Sequence, residues 1–269
     1  MIVFPNAKIN IGLHVTSRRP DGFHNIETIF FPIPLCDAIE ATPADNFSFS
    51  QSGILLDSSP ENNLVIKALR QIYPDRLPNI ALNLIKGIPF GAGLGGGSSD
   101  AAFMLKMINE VHKLGFTTDI LEEKAARVGA DCPFFIRNRP AYASGTGNLL
   151  EPVALSLAGY HITLVKPPFC ISTAEAYAGI SPSQPACDLR DVVQKDINEW
   201  RNSLRNDFEP SIVAKYPQIA RIKQILYDKG ALYASMSGSG STVYGLFSKE
   251  INMREIFPNY QVFNLEIKN

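Results

Sequence analysis

The chain has 269 residues, 45% hydrophobic and 19% charged, a soluble globular composition with room for one large domain or two smaller ones. A formal net charge of −1 offers no basic excess for a nucleic-acid surface. Four cysteines without a CxxC pair and four histidines without an HxxxH spacing argue against a disulfide framework and a zinc enzyme.

The opening MIVFPNAKINIGLHV is broken by Pro5, Asn6, Lys8 and Asn10, unlike the continuous apolar core of a signal peptide. No run approaches the roughly 18 apolar residues of a membrane helix. These features lead us to expect a cytoplasmic protein that meets neither membrane nor nucleic acid, a monomer or weak homodimer.

Residues 8–15, KINIGLHV, alternate strictly, which predicts a strand with Ile9, Ile11, Leu13 and Val15 inward and Lys8 and Asn10 together on the polar face. RRPDGFH carries Pro-Asp-Gly turn chemistry and leads into NIETIFFPIPL, so the two strands are expected to form a hairpin. Strands are also expected over 46–50 and 80–85, and a helix over 61–73 with Leu64, Ala68 and Ile72 on one face. SSDAAFMLKMINEVHKL predicts a helix with Ala101, Leu105, Ile108 and Val111 on its apolar stripe and Ser98, Ser99 or Asp100 as cap. Asp119 and Glu122 resemble a capping box for the next helix, ended by Gly129, and ADCPFFI predicts a short apolar strand entered through Asp131 and Pro133.

Residues 149–160 are expected to be a crossing point between the two domains. Beyond it come a strand at HITLVKP, helices around 173–179, 188–200 and 209–229, a strand–turn–strand in ALYASMSGSGSTVYGLF with its turn at Ser237–Ser241, and a strand at YQVFNLEI. The fold class expected is α+β, in two domains of 1–155 and 156–269.

The most informative stretch is GIPFGAGLGGGSSDAA, where Gly91, Gly93, Gly95, Gly96 and Gly97 crowd together. Each fixed glycine costs about 0.5–1 kcal/mol relative to alanine, so the cluster points to a backbone that must approach something closely. A strand before it and a helix after it are the setting of a phosphate cradle: exposed N–H groups, a positive helix end and no side chains in the way. The alternative is a flexible surface loop. Gly91, Gly93 and Gly96 satisfy GxGxxG, but a dinucleotide fold needs a strand after the helix, and here a second helix follows. No GK[ST] is present, so a P-loop is excluded as well.

A phosphoryl-transfer site needs charge neutralisation, a metal ion and a group that orients the acceptor hydroxyl. Lys8 and Asp131 are the candidates; if they meet, the lysine holds the carboxylate ionised and aimed. Taken singly, Lys8 also reads as a solvated edge residue and Asp131 as a cap. Ser98 and Ser99 are read either as ligands of phosphate or Mg²⁺, with Ser98 the candidate for the metal, or as helix caps. Phe23 and His24 either stack on and read a base or are packed and satisfied within the fold.

Together these residues resemble the GHMP kinase superfamily. PFGAGLGGGSSDAA is similar to its phosphate loop and SGSGSTVYGLF to its C-terminal glycine motif, while PNAKINIGLHVTSRRPDGFHNIETIF, PENNLVIKAL, GADCPFF and RNDFEP resemble a branch that phosphorylates a cytidine-diphosphate-linked methylerythritol. The resemblance covers most of the chain. It implies a two-domain GHMP-kinase-like fold with the active site in the interdomain cleft, and ATP with Mg²⁺ on Pro89, Phe90, Gly91, Ala92, Gly93, Leu94, Gly95, Gly96, Gly97, Ser98 and Ser99. It implies a catalytic pair at Lys8 and Asp131, substrate contact at Asn10, and His24 on the cytosine edge. Phe23 departs from the tyrosine usual at that position, which keeps stacking and loses a hydroxyl. Tyr177 is assigned as the second aromatic on the base. Rival expectations are a superfamily kinase for a smaller alcohol such as homoserine, an NAD(P) oxidoreductase, and a binding module without turnover.

Overall fold

Alternation at the N-terminus is realised in β1 (Ile2–Val3) and the long strand β2 (Asn6–Arg18). A computed structural model describes residues 1–54 and 60–268. After a turn closed by Arg19 N–H on the Phe23 carbonyl, with Gly22 left-handed, the chain returns as β3 (His24–Cys36). Then follow β4 (Ala38–Pro43), β5 (Ser48–Gly53), α1 (Leu64–Arg70) and β6 (Ile80–Lys86). Next come α2 (Gly96–Val111), α3 (Thr118–Ala126), α4 (Cys132–Arg137), β7 (Ala141–Ser144), β8 (Leu149–Pro152) and β9 (His161–Lys166). The remainder holds α5 (Thr173–Ala178), α6 (Leu189–Val192), α7 (Ile197–Ser203), α8 (Glu209–Lys215), α9 (Gln218–Asp228), β10 (Tyr233–Met236), β11 (Val243–Phe247) and β12 (Gln261–Glu266).

The chain divides into two compact units. Met1–Ala7, Leu35–Phe90 and Gly95–Arg139 form the first, which lies wholly before residue 155. Its sheet has the order β1-β4-β6-β5, with β5 parallel to β6 and the other neighbours antiparallel. Helix α2 packs on α1 and α4, and α3 on α4.

Lys8–Pro34, Gly91–Leu94 and Pro140–Asn269 form the second unit, which takes segments from both sides of that residue. It carries the sheets β2-β3-β7-β8 and β10-β11-β9-β12. Its core joins Leu13 and Val15 of β2 to Val165, Phe208, Ile222, Met236 and Phe247.

Several local expectations are corrected. ADCPFFI is not a strand: residues 132–137 are helix α4, with Pro133 in its first turn, where a fixed φ and a missing N–H cost nothing. Helix α2 begins at Gly96, behind an N-cap at Gly95, so Ser98, Ser99 and Asp100 lie inside it rather than at its cap. Helix α3 is capped by Thr117, whose hydroxyl accepts from Ile120 N–H, while Glu122 and Asp119 pair with Arg137. In α1 the buried residues are Val65, Ile66, Ala68 and Leu69, not Leu64 and Ile72, and Val111 at the end of α2 is 45% exposed. The segments 188–200 and 209–229 each break into two short helices, the second at Tyr216-Pro217.

Candidate active site

The glycine loop is built on an alternation. Gly91, Gly93 and Gly95 are left-handed (φ 58°, 74° and 70°), while Ala92 and Leu94 between them are buried. The apolar pair anchors the loop; the glycines supply conformations that other residues adopt only under strain. A Cβ on Gly93 would stand 1.9 Å from the Ser237 carbonyl oxygen, so no side chain fits there.

Three consecutive loop carbonyls are taken up by protein donors within the second unit. Thr242 N–H donates to Ala92 O (3.3 Å), the Ser237 hydroxyl to Gly93 O (2.8 Å) and Lys8 N–H to Leu94 O (2.9 Å). Carbonyls are the wrong polarity for an anion, and here they are occupied by the fold. The Ser237–Ser241 turn, expected as the link between two strands, therefore also braces the loop.

In the first unit Gly95–Ser99 opens α2, and no side-chain cap hydrogen bond covers its N-terminus. The first N–H groups of a helix have no partner within it, and this end of a 16-residue helix carries partial positive charge. Left-handed glycines ahead of an uncapped helix end fit a nucleotide phosphate chain. Among the described residues no group of three or more His, Cys, Asp or Glu side chains is arranged to hold a metal. Ser98, the expected metal ligand, has its hydroxyl against the Cys132 thiol, and Ser99 is buried with its hydroxyl lacking a hydrogen-bond partner among the described residues.

The expected polar face of β2 is not solvated. Lys8 and Asn10 are only 4% and 3% exposed, which excludes a surface-edge role for Lys8. Lys8 Nζ donates to Asn10 Oδ1 at 2.6 Å and lies over the Phe30 ring, 4.7 Å from its centroid. Asn10 Nδ2 donates to the Thr28 hydroxyl (3.0 Å), which donates to Gly12 O (2.5 Å). Asn10 is thereby oriented at both ends.

Asp131 stands at the N-cap of α4 but makes no side-chain cap hydrogen bond, so its carboxylate is not spent on closing the helix. His24 and Tyr177 stack with centroids 4.7 Å apart and planes 18° from parallel, which brings two expected base-reading residues together. Phe23, beside His24 in sequence, is 66% exposed rather than packed.

Sequence reasoning missed three contributors. Asn206 is buried and its amide donates to Met236 O and Gly238 O (2.8 Å each), tying the glycine turn to the segment beside β2. Thr28 and the buried Lys86–Asp37 pair were equally overlooked. A lysine ending the apolar strand IALNLIK was the available signal for the last.

Left-handed glycines ahead of the open N-terminus of a long helix are the setting in which a nucleotide-dependent small-molecule kinase holds its phosphates. Residues 63–139 match the model of the GHMP kinases N terminal domain and residues 188–259 that of the GHMP kinases C terminal. The chain belongs to the GHMP kinase family, whose members use ATP as phosphate donor. It is 54% identical over 256 residues to the 4-diphosphocytidyl-2-C-methyl-D-erythritol kinase of Parabacteroides distasonis, covering 95% of this chain and 94% of the relative. A crystal structure of 4-(cytidine 5'-diphospho)-2C-methyl-D-erythritol kinase superimposes with a TM-score of 0.85 at 26% identity, over all of both chains. Homoserine kinase from Cytophaga hutchinsonii superimposes with a TM-score of 0.72 at 16% identity, over 99% of this chain and 94% of that one, a likeness of fold alone.

No helix among the described residues is long and apolar enough to cross a membrane.

Proposed function

We infer that the chain transfers the γ-phosphoryl group of ATP to the 2-hydroxyl of 4-diphosphocytidyl-2-C-methyl-D-erythritol, leaving ADP and the phosphomonoester. The observation that carries this reading is 54% identity, across 95% of the chain, to a kinase named for that alcohol. The stacked His24–Tyr177 pair, which suits a pyrimidine, supports it. Homoserine carries no ring for such a pair to meet.

In this reading Asp131 orients the acceptor hydroxyl and accepts its proton, while Lys8 neutralises charge at the transferred group. A largely dissociative transition state asks little of the base before the old bond is broken, so an ordinary carboxylate suffices. Asn10, held by Lys8 and Thr28, contacts the substrate near the reacting hydroxyl. The N–H groups from Gly91 to Ser98 hold the phosphates; that of Ser99 is bonded to Gly95 O. Mg²⁺, reached by Ser98 and the phosphates, supplies charge neutralisation when bound.

Phosphorus NMR of the purified protein with Mg·ATP and the cytidine substrate, against a homoserine control, tests the assignment. A new phosphomonoester signal is expected with the cytidine substrate alone. Phosphorylation of homoserine instead would keep the fold and reassign the acceptor.

A further inference from the structure

β2 is an edge strand of its sheet, so one row of its main-chain N–H and C=O groups faces away from β3. Segments from across the second unit take up that row. Lys8 N–H donates to Leu94 O (2.9 Å), Asn10 N–H donates to the Ser237 hydroxyl (3.3 Å), and the Tyr244 hydroxyl donates to Asn10 O (2.8 Å). Further along, Leu13 N–H donates to Arg205 O and Asp207 N–H to Leu13 O (2.9 Å each), while Val15 N–H donates to Asp207 Oδ2 (2.9 Å).

In a strand, alternate residues face one edge. Those facing this edge are even-numbered up to Asn10 and odd-numbered from Leu13, and the change falls at Gly12, left-handed at φ 67°. A left-handed glycine introduces such a one-residue offset. The edge of β2 thus seats, in order, the phosphate loop, the glycine turn and residues 205–207.

Ser237 stands where the first two meet. Its hydroxyl is buried, accepts from Asn10 N–H and donates to Gly93 O (2.8 Å). One oxygen therefore joins the strand that carries Lys8 and Asn10 to the glycine loop. Gly238 lies equally close: a Cβ there would stand 3.3 Å from Asn10 Oδ1 and 3.4 Å from Gly93 O.

A single side chain holds this turn. Buried Asn206 donates from Nδ2 to Met236 O and Gly238 O (2.8 Å each), the carbonyls on either side of Ser237, and its Oδ1 accepts Phe208 N–H (3.0 Å). Reversing the amide would set its oxygen against two carbonyls, so it has one orientation. The bonds of Arg205 and Asp207 to Leu13 seat Asn206 on β2 three residues beyond Asn10.

We propose that Asn206 and Ser237 act as one positioning unit for phosphoryl transfer: Asn206 clamps the turn to β2, and Ser237, spanning Asn10 and Gly93, sets the acceptor side of the site against the phosphate loop. The inference deepens the assignment of the loop to ATP and of Asn10 to the acceptor alcohol, and rests on both. Reacting atoms must be held closely in line, and a misplacement of about 1 Å can cost about a hundredfold in rate.

The test compares wild type, Asn206→Ala, Ser237→Ala and the double variant by steady-state kinetics, at a temperature where thermal unfolding shows each to be folded. In each single variant kcat is expected to fall about tenfold or more, while KM for ATP and KM for the alcohol stay within about threefold. Because Asn206 acts through Ser237, the double variant should lose little more kcat than the worse single one. Losses that multiply would show two independent effects and overturn the shared role. A lowered melting temperature with kcat within about twofold of wild type would make the pair purely structural.

Ser237→Ala removes one oxygen and leaves the turn's main-chain bonds, Ser237 N–H to Thr242 O (2.9 Å) and Gly240 N–H to Ser237 O (3.0 Å), in place. It decides the matter where Asn206→Ala does not fold: a tenfold loss of kcat supports the unit, and an unchanged kcat overturns it. Wild type that forms no phosphomonoester from Mg·ATP and the cytidine substrate would instead overturn the assigned reaction, and the positioning role with it.

Discussion

The imidazole of His24 lies nearly flat on the ring of Tyr177, 4.7 Å between centroids, and Tyr177 in turn meets Phe208 edge-on. The contact joins the terminus of a strand to a six-residue helix far apart in sequence. Tyr177→Ala is expected to raise KM for the cytidine substrate by an amount corresponding to about 1–3 kcal/mol, the range of a stacked base, with KM for ATP unchanged. Phe23→Ala should act in the same direction and range. Equal changes in both KM values would remove these residues from the alcohol's site.

Asp131 does not spend its carboxylate on capping α4. Asp131→Asn should lower kcat at least about a hundredfold while ATP still binds, the scale of a lost general base. Turnover within a few-fold of wild type would sink the role assigned to it.

Thr28 is fully buried, accepts from Asn10 and donates to Gly12 O. Thr28→Val keeps the shape and removes both bonds, freeing the Asn10 amide to turn its oxygen away from Lys8. The expected loss is about tenfold in kcat, from one or two buried hydrogen bonds, with KM for ATP unchanged. Thr28→Ser should recover most of it. A variant that loses thermal stability but keeps its kcat would make Thr28 purely structural.

Gly93 combines a φ of 74° with a carbonyl 1.9 Å from its missing Cβ. Gly93→Ala must displace the Ser237 turn or the loop, at a cost of about 1–3 kcal/mol in strain. ATP affinity is expected to fall with it. Gly22→Ala, at a turn where a Cβ meets nothing within 4 Å, serves as the control for backbone strain alone. Equal ATP affinity in the two variants would contradict the close approach at Gly93.

Burial pushes the Cys132 thiol up to about 12 from 9.0, with the Asp131 carboxylate adding to the shift and the Ser98 hydroxyl opposing it. Between those values the unfolded chain releases a proton that the folded chain keeps, so stability falls as pH rises. The slope for this one group approaches about 1.4 kcal/mol per pH unit. Urea midpoints from about pH 8 to about pH 10 should therefore decline more steeply for wild type than for Cys132→Ser. Parallel declines would contradict the shift.

Much of the fold was legible because its signals are local. The period-two alternation of β2, the Pro-Asp-Gly turn before β3 and the glycines ahead of α2 each state their conformation within a few residues. Local reading failed at ADCPFFI, where an apolar run of strand length forms α4, because a short buried segment carries no periodicity to separate the two. It failed also at the starts of α2 and α3, where Gly95 and Thr117 take the caps that nearby Ser and Asp residues advertised.

The sequence by itself determined which chemical groups the chain carries: glycines where the backbone must turn left-handed, a lysine and an asparagine two residues apart on one strand, a carboxylate at Asp131, and an aromatic–histidine pair at a turn. Tertiary structure decided their states. Only packing from distant segments buries Lys8 and Asn10 and occupies the loop carbonyls with Lys8, Ser237 and Thr242. The same packing lays Tyr177 on His24 and sets two carboxyls against the single ammonium of Lys86. Burial, orientation and charge state depend on what the rest of the chain brings within a few ångströms, and that information is not contained in any one stretch of residues.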